Sequence, residues 1–294
     1  MEYHSNLELL SCLHHNQSKV TNLQFSGIES SIDWQTFKAQ TKDLAHIERV
    51  QLWLTSKEDC DQAAVVLKRT HNLSSLDIDF SYVNLMKAGD GSNDIPTLHR
   101  LLSRVSAIDW CSQLTSLRLD NMMMPTTGRG HSRLMEVRGL KHLTLYKCYN
   151  YGPFLERLAD LSLDLVSFFL EDPEDSDFGE SGFNIYCDSF FGSIKSPKRI
   201  SLAFAGDDDM TLNWSHFHAC ASTITSMKLQ CYDRPPLEIS GDHASDFRRF
   251  CNLASNLQQL SIFGIEIHPA LCKQSGGLEP FLVSVDLIQY EDLV

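Results

Sequence analysis

The segment HFHAC at 216–220 sets His216, His218 and Cys220 two residues apart, the residue types that bind zinc. On a strand that spacing puts all three on one face. The surrounding pattern reads as helical, where residues two apart diverge, so structural packing is the expected role. Two acidic segments, EDPEDSDFGESG (171–182) and AGDDDM (205–210), suggest calcium. A calcium-binding EF-hand loop needs acids at positions 1, 3 and 5 and glycine at 6. Asp175, Asp177 and Gly179 break that order, which leaves solvated acidic loops. GRGHSR (128–133) has two glycines of a dinucleotide fingerprint and lacks the third. No phosphate loop, G-x-S-x-G or H-E-x-x-H occurs. No catalytic residue, cofactor or metal is therefore expected, and the chain reads as a non-enzyme.

The whole-chain numbers agree. Of 294 residues, 25 are basic and 38 acidic, a formal net charge of −13. Nucleic-acid affinity rests on cations that neutralise phosphates, so no nucleic-acid partner is expected. No apolar run approaches the ~18 residues of a membrane span, so no membrane partner is expected either. Nine scattered cysteines form no C-x-x-C pair, and the first residues lack a signal peptide's charged and apolar regions. Reduced thiols in the cytoplasm or nucleus follow as the expectation.

What positions these residues is a repeat. The shape apolar-x-x-apolar-x-apolar recurs, most fully in LKHLTLYKCYN (140–150). Its middle positions are 23, 50, 76, 117, 143, 168, 200, 227, 260 and 285, separated by 27, 26, 41, 26, 25, 32, 27, 33 and 25 residues. The second and third apolar positions share a strand face and no helical face. Each copy is thus a short strand with its apolar side inward, and the first apolar residue leads into it. The segments between carry helical spacing at 56–72, 97–110, 152–161 and 244–256, the last with Phe247, Phe250, Cys251 and Leu253. Segments 33–46 and 213–222 are weaker, the latter with Trp214 and Phe217. Insertions fall near 83–96 and 171–182. The expected fold class is α/β: a curved leucine-rich-repeat solenoid of about ten irregular repeats over 1–294. Its parallel sheet lines the concave face, its helices the convex face, and stacked units share one core.

Leu140, Leu143, Leu145 and Cys148 match L-x-x-L-x-L-x-x-C, so the chain resembles leucine-rich-repeat proteins. Irregular repeat lengths and acidic balance resemble the repeat half of fungal F-box/leucine-rich-repeat proteins. That resemblance implies substrate recognition for a ubiquitin ligase, with Skp1 and cullin as partners if an F-box lies upstream; the F-box itself is not seen. Plant immune-receptor repeats read similarly, regulation of a small GTPase through Arg118 or Arg129 is another alternative, and an orphan enzyme or metal protein around His216, His218 and Cys220 is the last. Outward strand positions would form the protein-binding face. They hold Trp53, Asp77, Asp79, Arg118, Asp120, Tyr146, Phe169, Glu171, Lys228 and Phe263, with Trp53, Tyr146 and Phe169 as its centre.

Overall fold

The structure is a computed structural model that describes residues 21–26, 44–54, 57–80, 101, 113–122, 124, 137–172, 189–204, 213–232, 237–239 and 241–267. The chain divides into two compact units, Met1–Leu140 and Lys141–Val294.

The first unit holds β1 (Asn22–Ser26), β2 (Arg49–Leu54), β3 (Ser75–Phe80) and β4 (Ser116–Asp120), each pairing in parallel with the next. The register joins Leu23 to Val50, Val50 to Leu76, and Leu76 to Leu117. These are the middle positions of the sequence repeat, all buried. Leu52, Ile78 and Leu119 follow two residues later on the same side, as a strand's two-residue period requires. The lead-in residues Ile47, Leu73 and Leu114 are buried as well. Helix α1 (Lys57–Leu67) buries Cys60, Ala63, Ala64 and Leu67, one helical stripe.

The second unit repeats the arrangement with β5 (His142–Tyr146), β6 (Ser167–Glu171), β7 (Arg199–Phe204), β8 (Ser226–Cys231) and, after a short β9 (Leu237–Ile239), β10 (Gln259–Phe263). The parallel register runs Leu143, Phe168, Ile200, Met227, Leu260, again the predicted positions. Strand β11 (Ile265–Ile267) pairs only with β9. Helix α2 (Gly152–Ala159) starts with Pro153 in its first turn, where no backbone N–H is needed, and buries Phe154, Leu155 and Leu158. Helix α3 (Gly241–Leu253) buries Phe247 and Phe250. Leu253, placed by spacing on the same stripe, is instead 40% exposed at the helix's last residue.

The segment expected to be a weak helix, 213–222, is two 3-10 turns, Trp214–Phe217 and Ala221–Thr223. The Asn213 side chain accepts a hydrogen bond from the Ser215 amide and caps the first. An aromatic chain fills this layer. Phe168 meets Phe190 at 4.9 Å, Phe191 meets Phe217 at 4.8 Å, and Trp214 meets Phe247 at 4.5 Å between ring centroids. Offset and edge contacts of this kind add to the area that large rings bury.

Strands are also tied at their starts. One carbonyl of each repeat accepts two successive amides of the next: Ser74 and Ser75 on Glu48, Thr115 and Ser116 on Ser74, Thr225 and Ser226 on Lys198. The hydroxyls of Ser74, Thr115 and Thr225 add a third donor to the same carbonyl. Asn72 and Asn256 donate from their amides to the Ala45 and Ser222 carbonyls one repeat back. Strands β4, β5 and β10 each end at a left-handed residue, Asn121, Lys147 and Gly264. One parallel strand per repeat, with the repeat's leucines buried in register, is the leucine-rich-repeat fold. The tenth repeat (Leu282, Val285, Leu287), the insertion 83–96 and most of the helical segments 33–46 and 97–110 lie outside the described residues.

Two glycines give opposite predictions. At Gly264, φ is +64° and an added Cβ would lie 2.0 Å from the Cys231 carbonyl oxygen. Gly264→Ala is expected to cost about 2 kcal/mol or more in thermal denaturation. Gly192 sits in the helical residues 189–193 with nothing within 4 Å of its added Cβ. Gly192→Ala is expected to be neutral or to gain about 0.5–1 kcal/mol.

Candidate functional site

In-register pairing sorts the outward residues into rows that cross the strands, with neighbours about 4.8 Å apart. In the first unit one row reads Gln24, Gln51, Asp77, Arg118 and the next Trp53, Asp79, Asp120. Five of the predicted residues lie in these rows, and four of them, Asp77, Asp79, Arg118 and Asp120, cluster. The Arg118 guanidinium donates through Nε and Nη2 to Asp120 Oδ2 at 2.9 and 2.7 Å and stands 3.8 Å from Asp77. Two neighbours that sequence reasoning did not select join the cluster: Gln51 donates to Asp77 at 3.1 Å, and Asn121 to Asp79 at 2.9 Å.

Asp120 departs from expectation. It was assigned to the exposed face, yet it is 6% exposed. Its Oδ1 is buried with no hydrogen-bond partner among the described residues. Burial pushes its carboxyl up to about 6, against the pull of Arg118. Asp77 is raised for the same reason, partly offset by Gln51 and Arg118. Three carboxylates surround one guanidinium in this cluster, and the row before it carries the exposed Arg49.

The second unit's face is aromatic and basic. Its rows read His142, Ser167, Arg199, Ser226, Gln259; then Thr144, Phe169, Ser201, Lys228, Ser261; then Tyr146, Glu171, Ala203, Gln230, Phe263. Tyr146 and Phe169 stack at 6.5 Å with planes 22° apart. Lys147 and Lys228 place their ammonium groups 5.6 Å from the Tyr146 ring and 5.5 Å from the Phe263 ring. Trp53 belongs to the first unit, and Tyr146 and Phe169 belong to the second.

The outward residues of β7 are small. Ser201 and Ala203 lie between Phe169 and Glu171 on β6 and Lys228 and Gln230 on β8. The result is a trough of about 300 Å³ over β7, lined by Ser167, Phe169, Arg199, Ser201, Ser226 and Lys228 among others. Sequence reasoning missed Arg199, Ser167 and Ser226 because it read only the positions between the last two apolar residues and just after them; Ser201 lies at a position it read and was not selected. The row that holds Arg199 precedes the middle apolar residue and also faces outward.

The zinc-type residues do not converge. His216 is buried beside the aromatic chain, and His218 Nε2 lies 3.1 Å from the Asp246 carbonyl. The Cys220 thiol donates to the Phe217 carbonyl, and burial pushes it up to about 12, far from the thiolate a metal needs. Among the described residues no group of three or more His, Cys, Asp or Glu side chains is placed to hold a metal ion. Segment 128–133 and most of both acidic segments lie outside the described residues. No helix among the described residues is long and apolar enough to cross a membrane.

No family model matches the sequence, and no curated protein does. Among solved structures, the leucine-rich repeat-containing protein LegL7 from Legionella pneumophila is similar, with a TM-score of 0.41 and 14% identity over 89% of this chain and 79% of that one.

Two buried carboxyls generate predictions. Arg118→Ala removes the partner of a buried carboxylate and is expected to cost about 1–3 kcal/mol at pH 7.5. The cost should shrink at pH 4.5, where Asp120, at about 6, is protonated and needs no cation. Thermal melts at both pH values check this. Asp172, 2% exposed at the end of β6, is likewise pushed up to about 6 by burial, which the nearby Tyr151 hydroxyl only partly offsets. Its folded value lies above the ordinary 3.8, so its protonated form favours folding. That contribution is complete below about 4 and lost as pH rises through about 6. Asp172→Asn should therefore gain on the order of 2 kcal/mol over the parent at pH 7.5 and nothing at pH 4.

Proposed function

We propose that the protein is a non-catalytic interaction module that binds a protein partner on its strand faces. The observation that carries this reading is the stacked Tyr146–Phe169 pair on outward strand positions, flanked by cations rather than by a covering element among the described residues. Aromatic rings beside charge are the residue types that dominate binding energy at interfaces. The reading extends to Trp53, Asp77, Asp79, Arg118 and Asp120 in the first unit and to Glu171, Lys228 and Phe263 in the second.

The context we favour is substrate recognition for a ubiquitin ligase, in the cytoplasm or nucleus. Its supports are the repeat pattern and the free thiols Cys220 and Cys251, which suit a reducing compartment. The GTPase-regulator alternative needs a guanidinium free to reach a phosphate, whereas that of Arg118 is held by Asp120. Arg129 lies outside the described residues.

Affinity purification with quantitative mass spectrometry tests the reading. Trp53→Ala combined with Tyr146→Ala is expected to reduce recovery of a specific partner at least tenfold while the melting temperature stays near the parent's. Skp1 and cullin subunits among the retained proteins would support the ligase context. Identical partner sets for parent and variant would overturn the assigned faces.

A further inference from the structure

The trough over β7 stands out because of its charge. In a chain with net charge −13, Arg199 and Lys228 are both exposed at its rim, and neither has an acidic partner among the described residues. Surface cations in so acidic a protein would ordinarily find carboxylates. The other outward residues that line the trough are serines, glutamine and Phe169, while Glu171 on β6 borders Ala203. Arg199 already acts on its surroundings: after burial, it is the second cause holding His142 below its ordinary value.

Register fixes the spacing of the two basic residues. Arg199 pairs with Ser226, and Lys228 pairs with Ser201. The two residues are therefore one strand apart and two residues apart along the strand direction, a Cα separation of about 7–8 Å. The Lys228 ammonium rests 5.5 Å from the Phe263 ring on β10 and turns toward β7 to meet a carboxylate. Acidic residues at i and i+2 of an extended peptide project to the same side about 6.6 Å apart, a close match. A single phosphate would need both cations to converge on one point. The floor is low only over β7, so an extended chain laid along that strand fits between Phe169 on one side and Lys228 on the other. The Ser201 hydroxyl can donate or accept along its length, while those of Ser167 and Ser226 already meet His142 Nδ1 and Gln259 Oε1. Phe169 offers one apolar wall for a non-polar side chain of the same peptide.

Resting on the interaction reading above, we propose that the β7 trough binds an extended acidic peptide of a partner protein, with carboxylates at alternate positions held by Arg199 and Lys228 and an apolar side chain against Phe169.

The test uses the intact protein and fluorescent capped decapeptides in polarisation titrations. The probe carries Glu-x-Glu beside a phenylalanine; its counterparts replace both glutamates by glutamine or by lysine, or the pair by a single phosphoserine. The Glu-x-Glu peptide is expected to bind at least tenfold more tightly than its glutamine and lysine counterparts, and to weaken as salt rises. Arg199→Gln and Lys228→Gln should each weaken it about fivefold without moving the melting temperature, since both side chains are exposed. Ser201→Tyr should fill the trough and abolish the preference. Equal affinity for glutamate and glutamine peptides, or insensitivity to both cation substitutions, would overturn the proposal. So would preference for the single phosphoserine, or self-association of the parent that Arg199→Gln removes, which would make a second copy the occupant. If the peptides fail to discriminate while the Trp53 and Tyr146 substitutions still release a protein partner, the trough assignment falls and the interaction reading stands.

Discussion

The structure depends on parallel register. A strand's side chains alternate between faces, so a slip of one residue would turn Leu76 and Ile78 outward and bring Asp77 and Asp79 into the interior. The cost of burying two unpaired carboxylates and exposing two large apolar side chains is several kcal/mol per strand. The same holds at Leu143 and Leu145, and at Met227 and Leu229 around Lys228. The doubly used carbonyls at each strand start act on the same variable. They fix where one repeat begins relative to the last, and the asparagine amides of Asn72 and Asn256 reach back one repeat to do so again.

Once register is set, function follows from position in a row rather than from a local motif. Asp77 and Arg118 are 41 residues apart in sequence and adjacent on the sheet. Arg199 and Lys228 lie on neighbouring strands with two serines completing the square. The two units use the same scaffold for opposite chemistry. In the first, carboxylates outnumber the guanidinium and part of the charge is buried, which lifts Asp120 and Asp77. In the second, small outward residues on β7 open a trough between an aromatic wall and a cation. No cluster of this kind is visible in a linear window of ten residues.

That contrast explains what was legible in the sequence. The inward residues obey a short rule, apolar at three fixed offsets, and the nine described middle positions all fall in the predicted register. Helices α1, α2 and α3 were readable from their stripes, within a few residues at their ends. The segment around Trp214 was not, because two aromatic anchors can be buried by a pair of 3-10 turns as well as by a helix. The outward residues obey no short rule. Asp120 reads as exposed by alternation, yet it is buried, with its Oδ2 held by Arg118 two residues away. Arg199 was passed over because its row lies outside the two offsets taken as exposed.

Hydrogen exchange followed by mass spectrometry tests the register ladder most directly. Deeply protected strand amides reflect a shared core, whereas loops exchange by local opening. The account predicts separate maxima of protection at 21–26, 49–54, 75–80, 116–120, 142–146, 167–171, 199–204, 226–231 and 259–263. Protection spread evenly along the chain, or maxima centred between these segments, would contradict it.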